Sequence, residues 1–341
     1  MFKIKVYNSN MVNIEPHYEI ELVTNPNDAD YYIIVDGSHD IPVDHTRSIY
    51  IKTKNYKNTQ STNAPINNYW LVIDFENNNM NISWDLIKTY MDKRFNNEKY
   101  TNELFDKIYL LNIDKYPQRL LDSDYELRLR HIKYQRYDTI DGTTLTVPKM
   151  ITDKIITSKF DAKRRPGVLG LTATHFKFLN EQVANNYNLC LYFEDDIRLH
   201  HQFCDQIADN WQHIPDDADI VSLSHWFLKG NINTHTVHIK ENVYKLIKNI
   251  NSMACVVFTL NGAKKMLAKQ FPISRPVDNF DCNIFTTYVL GKIPNTDPNF
   301  YIDTTTMPKH KINLSGIAVT RNVPSSVCDM DKKKISVMSP T

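Results

Sequence analysis

Glycine is scarce in this chain. The 341 residues contain eight, and none builds a GxGxxG turn or a Walker loop. A bound diphosphate could not rest on a glycine-rich nest of backbone N–H groups, so a metal would have to neutralise it. The nearest approach is Gly167 with Gly170 in "PGVLG". An excess of one charge is missing too, since 40 Lys and Arg against 39 Asp and Glu leave a formal net charge of +1. No global field gathers nucleic acid, and phosphate recognition must be local. The short basic patches "DAKRRP" (161–166) and "DKKK" (331–334) read as solvated surface. No uncharged apolar run approaches the roughly 20 residues of a membrane span. The start, "MFKIKVYNSNMVNIEPHYEIEL", alternates like a strand and lacks the apolar core of a signal peptide. A cytoplasmic protein without a transmembrane segment is expected. The five cysteines (Cys190, Cys204, Cys255, Cys282, Cys328) form no CxxC pair, which favours free thiols in a reducing compartment.

What is present suits a folded α/β protein. A hydrophobic content of 42% with 23% charged residues is ordinary for a globular chain with a real core. Residues 1 to about 75 hold short strand-like runs, "KIKVY", "DYYIIVDG", "SIYIKT" and "YWLVIDF", punctuated by Asn, Pro and Asp. Helical spacing follows in "SWDLIKTYMDKRF" (83–95), and the polar "NNEKYTNE" (96–103) suggests a boundary. A small α/β domain over 1–98 is therefore expected ahead of a second domain over 104–341. In the latter, "KIYLLNI", "KYQRYDTIDG", "LCLYF", "DIVSLS" and "SMACVVFTL" read as strands. "GVLGLTATHFKFLNEQVANN" between them places Leu169, Ala173, Phe176, Leu179 and Val183 on one helical face. Strands alternating with helices predict a largely parallel, Rossmann-like sheet whose ligands bind at the carboxyl ends of the strands.

At that edge stands "NLCLYFEDDIRLHH" (188–201), an apolar strand running into Glu194, Asp195 and Asp196. Adjacent carboxylates raise the cost of ionising one another, so a positive group belongs there. If the chain stays extended, Glu194 and Asp196 face one side, where they make half of a hard-cation site, and Asp195 faces the other. Oxygen-only ligands favour Mg²⁺ or Mn²⁺, completed by waters and substrate phosphates. The simpler alternative makes these residues caps of a helix at about 199–211, or a solvated turn. A DxDxT phosphatase is disfavoured, because Ile197 falls where its second acid belongs.

Taken in order, "KIYLLNIDKYPQR", "DTIDG", "RRPGVLGLTATHFKFLN", "LCLYFEDDIRL", "DADIVSLS", "LNGAKKML" and "RPVDNF" resemble glycosyltransferase family 25, which holds bacterial lipooligosaccharide galactosyltransferases and procollagen galactosyltransferases. The resemblance implies a GT-A fold, a UDP-sugar donor, a divalent cation and transfer with inversion to a glycan or protein acceptor. It places Glu194, Asp195 and Asp196 on the family's acidic metal and donor motif, with Asp195 toward the donor, and Arg119 on the second basic position of the first-strand motif. Lys115 stands where arginine is common. Gly170, Thr174 and His175 match Gly-Cys-x-x-Ser-His, with Leu171 in place of the cysteine. Asp278 matches the late aspartate, which makes it the candidate base, with Asp281 next in line and a helix cap over "NFDCNIFTTYVLG" as the structural alternative. His310 stands where GT-A enzymes often recruit a late histidine to the metal. Ser224 replaces a common glycine, and "TTTMPKHKINLSG" follows the family's ending only loosely. The first strands resemble nucleotide-sugar fucosyltransferases faintly, in fold alone. A catalytically inactive GT-A scaffold that binds a partner is the alternative from another class.

Overall fold

The computed structural model describes residues 4–8, 20–23, 31–35, 48–53, 71–75, 84–160, 166–227, 232–249, 253–274, 277, 281–291, 313–316 and 318–320. The chain divides into two compact units. The first takes in Met1–Asn102, Tyr125–Ile132 and Leu199–Ala208, and the second Glu103–Asp124, Lys133–Arg198 and Asp209–Thr341.

The first unit carries β1 (Ile4–Asn8), β2 (Ile20–Val23), β3 (Tyr31–Val35), β4 (Ser48–Thr53) and β5 (Leu71–Phe75) in one sheet of order β2-β1-β3-β4-β5. Every pairing in it is parallel. The strands are the Ile-, Val- and Tyr-rich runs expected from sequence, and an all-parallel sheet needs such continuous apolar segments because both of its faces are covered. Helix α1 (Trp84–Leu104) follows. It outruns the expected end at 95 and absorbs "NNEKYTNE" as helix, because the polar residues of that stretch find partners on the segments that return to the unit. Asn97 Nδ2 donates to Asp205 Oδ1 at 2.7 Å, Asn102 Nδ2 to the His131 carbonyl at 2.9 Å, and Glu98 holds Arg94 Nε at 2.8 Å and His131 Nδ1 at 2.8 Å. Arg94, Glu98 and Thr101 are buried. Here a polar face is an inward face.

The second unit is organised by a sheet of order β12-β13-β15-β10-β14-β8-β6-β7. Its elements in chain order are β6 (Lys107–Asn112), α2 (Pro117–Arg128), β7 (Gln135–Asp138), α3 (Val147–Thr152), α4 (Pro166–Ala184), β8 (Leu189–Glu194), β9 (Ile197–Leu199), α5 (Phe203–Asn210), β10 (Ile220–Ser222), β11 (Ser224–Phe227), α6 (Ile232–His235), β12 (Thr236–Lys240), β13 (Val243–Leu246), β14 (Cys255–Thr259), α7 (Leu260–Lys269) and β15 (Thr287–Leu290). The end of α2 and most of α5 belong to the first unit's segments. β7, β6 and β8 are parallel neighbours, as are β10 and β15. β14 lies antiparallel between β8 and β10, and β12 and β13 close the edge antiparallel. The fold is mixed α/β and Rossmann-like.

α4 packs over this sheet. Leu169, Ala173 and Leu179 are buried as expected, while Phe176 and Val183 are partly covered. The helix is covered on further sides, for Val168, Thr172, Thr174, His175, Phe178 and Gln182 are buried as well. Phe178 stacks on Tyr192 with ring centroids 3.8 Å apart, and Tyr192 stacks on Tyr109 at 5.5 Å. Tyr109 and Tyr137 donate their hydroxyls to the two oxygens of Glu181 at 2.7 and 3.0 Å. Burying two phenols in an apolar layer requires such an acceptor. Burial in this low dielectric, and then the nearby Glu181 carboxylate, push the Tyr137 hydroxyl well above its ordinary value.

The helix considered over "NFDCNIFTTYVLG" does not form. Residues 281–285 make a turn, and Thr287–Leu290 are strand β15, buried throughout between β13 and β10. The β-branched and aromatic "TTYVL" suits a buried strand better than a helix. The four described cysteines are free: Cys190, Cys204 and Cys255 are buried, and Cys282 is partly covered. No helix among the described residues is long and apolar enough to cross a membrane.

Candidate functional site

The carboxyl ends of β6 and β8 lie side by side, since Leu111 is in register with Glu194. Each apolar strand ends in a polar residue at this edge: Asn112 on β6, and on β8 Glu194, followed by Asp195 and Asp196. The chain does not stay extended past Phe193. It turns at residues 195–196 and re-enters a strand at Ile197. The turn brings the Asp195 and Asp196 carboxylates to a common point instead of opposite faces. It also excludes a helix-cap role for them, because α5 starts only at Phe203.

The positive group is Arg119. Its Nη2 lies 2.6 Å from Asp195 Oδ1 and 3.0 Å from Asp196 Oδ2, with all three side chains largely buried. Arg119 stands on the first turn of α2, which begins at Pro117, a proline placed where a helix needs no N–H. The Tyr116 ring lies 5.8 Å from the guanidinium carbon, within cation–π range. The other oxygen of Asp195, Oδ2, accepts from Asn112 Nδ2 at 2.7 Å, and the same amide donates to the Tyr116 carbonyl at 3.2 Å. Asn112 is buried, so one side chain fixes both the first acid and the turn that precedes α2.

Asn112 was not singled out from sequence. Its signal was an amide ending the apolar "IYLLN", which also reads as an ordinary strand stop; only the β6–β8 register brings it to the acids.

Lys115 is engaged elsewhere, 2.7 Å from Asp141 Oδ2. Asp141 also accepts from Thr143 N. Partial burial alone would raise its pKa, but these bonds more than offset that and hold the carboxyl below its usual range. The Asp141-Gly142 pair is a cradle for α4. A Cβ on Gly142 would meet the Pro166 carbonyl oxygen at 1.6 Å, and one on Gly170 would meet the Ile140 carbonyl oxygen at 2.3 Å. Thr174 ties the same contact, accepting from Ile140 N at 2.9 Å and donating to the Gly170 carbonyl at 2.8 Å. His175 is buried, its Nδ1–H donating to the Leu171 carbonyl at 2.8 Å and its ring 4.7 Å from Phe178. Burial pushes its pKa down to about 4, against that hydrogen bond.

The structure thus gathers Arg119, Asp195 and Asp196 at one point, with Glu194 at the adjoining strand end, and seats Gly170 and His175 in the packing of α4. Asp278 and His310 lie outside the described residues. Asp281 is described, and its Oδ1 accepts from Asn283 N and Nδ2 at 3.0 and 3.1 Å, so this carboxylate caps its own turn.

Among the described residues no group of three or more His, Cys, Asp or Glu side chains is arranged to hold a metal ion. Two buried aspartates converging on one cationic nitrogen nevertheless fit half of a hard-cation site. Mg²⁺ and Mn²⁺ take oxygen donors, and Mg²⁺ in particular keeps open positions for water and phosphate.

The family model for glycosyltransferase family 25 (LPS biosynthesis protein) matches residues 105–280, just over half of the chain and the whole of this strand edge. Two curated relatives are similar over the same share. The mouse protein named inactive glycosyltransferase 25 family member 3 is 28% identical, over 52% of this chain and 31% of its own length. The rat protein named probable inactive glycosyltransferase 25 family member 3 is 27% identical, over 52% of this chain and 32% of its own. The chain therefore spans about a third of the length of these relatives. With the match covering all of the ordered motifs, the chain belongs to glycosyltransferase family 25.

Proposed function

We propose that the chain is a metal-dependent inverting glycosyltransferase that moves galactose, glucose or N-acetylglucosamine from a UDP-sugar to a hydroxyl on a glycan or protein, hydroxylysine among the candidates. The observation that carries this reading is the buried Asp195–Asp196 pair, bridged by Arg119 and braced by Asn112, at the carboxyl ends of two parallel strands. Ligands of open α/β sheets bind at that edge. The site can offset negative charge without the glycine nest that the sequence lacks.

In this reading Asp195 and Asp196 hold Mn²⁺ or Mg²⁺, with Glu194 beside them and His310 as a late ligand. When bound, the cation supplies positive charge that offsets the diphosphate. Arg119 contacts the donor's phosphate oxygens, for which a guanidinium fork is suited. Asp278 takes the proton of the acceptor hydroxyl as its oxygen bonds to the anomeric carbon, while the bond from that carbon to the diphosphate oxygen breaks and UDP departs.

A second reading, a non-catalytic scaffold that keeps the fold and binds a partner, draws support from the word "inactive" in the names of the mouse and rat relatives. Incubation with a panel of nucleotide sugars, an acceptor mixture and Mn²⁺ separates the two. The transferase reading expects UDP release from at least one UDP-sugar. Its absence across the panel, with UDP still bound, favours the scaffold.

A further inference from the structure

We propose that Arg119 is a resident counter-ion of the Asp195–Asp196 pair, displaced when a divalent cation enters, so that metal binding hands its guanidinium to the donor's diphosphate. The proposal deepens the reading above and rests on its metal site.

A single nitrogen, Nη2, contacts both carboxylates, at 2.6 and 3.0 Å. A divalent ion on the same oxygens sits closer, at about 2.0–2.2 Å for Mg²⁺. The ion and the guanidinium nitrogen would then compete for one position and repel each other in a buried setting, where charge–charge interactions are weakly screened. One of them has to leave. Arg119 is built to be the one that moves, for it reaches the pair at the end of a long unbranched stem. It rises from the first turn of α2 beside the Tyr116 ring, 5.8 Å away. That end of the helix already favours an anion, so the displaced guanidinium stays where a diphosphate is attracted.

The carboxylates are built to stay. Asn112 Nδ2 holds Asp195 by Oδ2, whereas Arg119 takes Oδ1. Withdrawal of the guanidinium therefore leaves Asp195 aimed. While Arg119 occupies the position between the two carboxylates it offsets part of their mutual repulsion, and in doing so weakens metal binding in the absence of donor.

The test measures Mn²⁺ binding to the intact chain by titration calorimetry, without nucleotide. Arg119→Met and Arg119→Gln both remove the charge, and Gln retains a donor toward Asp195. Both are purified in Mn²⁺ and then stripped of it. The expected result is Mn²⁺ affinity tighter by about tenfold or more in either variant, since a competing cation has been removed. UDP affinity in saturating Mn²⁺ should fall by a similar factor in the same variants. Unchanged or weaker Mn²⁺ binding overturns the proposal. So does failure of both variants to fold in Mn²⁺, because a displaceable counter-ion is not needed once the metal is in place. Tightened Mn²⁺ binding in a protein that releases UDP from no sugar sustains this inference while removing the transferase reading.

Discussion

His175 shows how a motif residue can matter through its surroundings. Buried on α4 with its Nδ1–H on the Leu171 carbonyl and its ring against Phe178, it stays neutral, its pKa pushed down to about 4. An unfolded histidine titrates near 6.5. Between those values the unfolded chain binds a proton that the native chain refuses, so stability falls as pH drops from about 6.5 toward 4 and levels off below. The contribution at neutral pH that is lost by pH 4 is about 3 kcal/mol. His200, pushed down to about 3 by burial and by the nearby arginines, adds a slope of the same sign. Comparing denaturant unfolding of wild type with His175→Gln across this range isolates the first residue: the variant should show a shallower decline. Equal slopes would mean that His175 takes up its proton as readily in the native chain as in the unfolded one.

Asn112 is the converse case, a residue with no motif of its own that braces the acid Arg119 needs. Asp195 and Asp196 were legible because like charges at a strand end demand an explanation; Arg119 came from the family resemblance, as a phosphate contact and not as their partner. Asn112 was not legible, because its role exists only once β6 and β8 pair across some eighty residues of chain.

At the level of elements, α4 and the loop before it carry much of the fold's specification. Gly142 and Gly170 let helix and loop meet backbone to backbone, with Thr174 tying the contact. Gly142→Ala would force a methyl onto the Pro166 carbonyl oxygen at 1.6 Å, which nothing but a backbone shift relieves. The expected loss is about 3 kcal/mol or more, the upper range for overpacking, read as a lower denaturant midpoint. A change within about 0.5 kcal/mol, the ordinary size for a surface substitution, would show that the loop moves freely.

The period of α4 was readable and its depth was not: periodicity reports one apolar face, and burial of Thr172, Thr174 and Gln182 depends on what packs from the other side. α1 went astray for a related reason. Its last turns look like a linker because their polar groups are buried against polar partners. The helix weighed over "NFDCNIFTTYVLG" rested on Asp278 as a possible cap, and the β-branched and aromatic run that forms β15 outweighs it.

The whole chain divides into units that sequence order does not separate. Residues 125–132 and 199–208 belong with Met1–Asn102, and a boundary drawn along the chain cannot express such returns. Within the first unit they supply the acceptors for a buried guanidinium: Arg130 Nη2 donates to the Leu199 carbonyl at 2.6 Å, and its Nη1 pairs with Glu126 at 3.3 Å. The second unit carries the strand edge and the family 25 motifs, so the chemistry proposed for the chain belongs to it.

The central claim is that the Asp195–Asp196 pair holds the charge that admits a sugar nucleotide. Titration calorimetry of UDP onto the intact chain in Mn²⁺ tests it most directly, with Asp195→Asn and Asp196→Asn beside the wild type and melting followed to show that each is folded. Losing one carboxylate from the proposed cation site should weaken UDP binding by about tenfold or more, with little dependence on Mn²⁺ remaining. UDP affinity that is unchanged in both variants, or equal with and without Mn²⁺ in the wild type, would contradict the account.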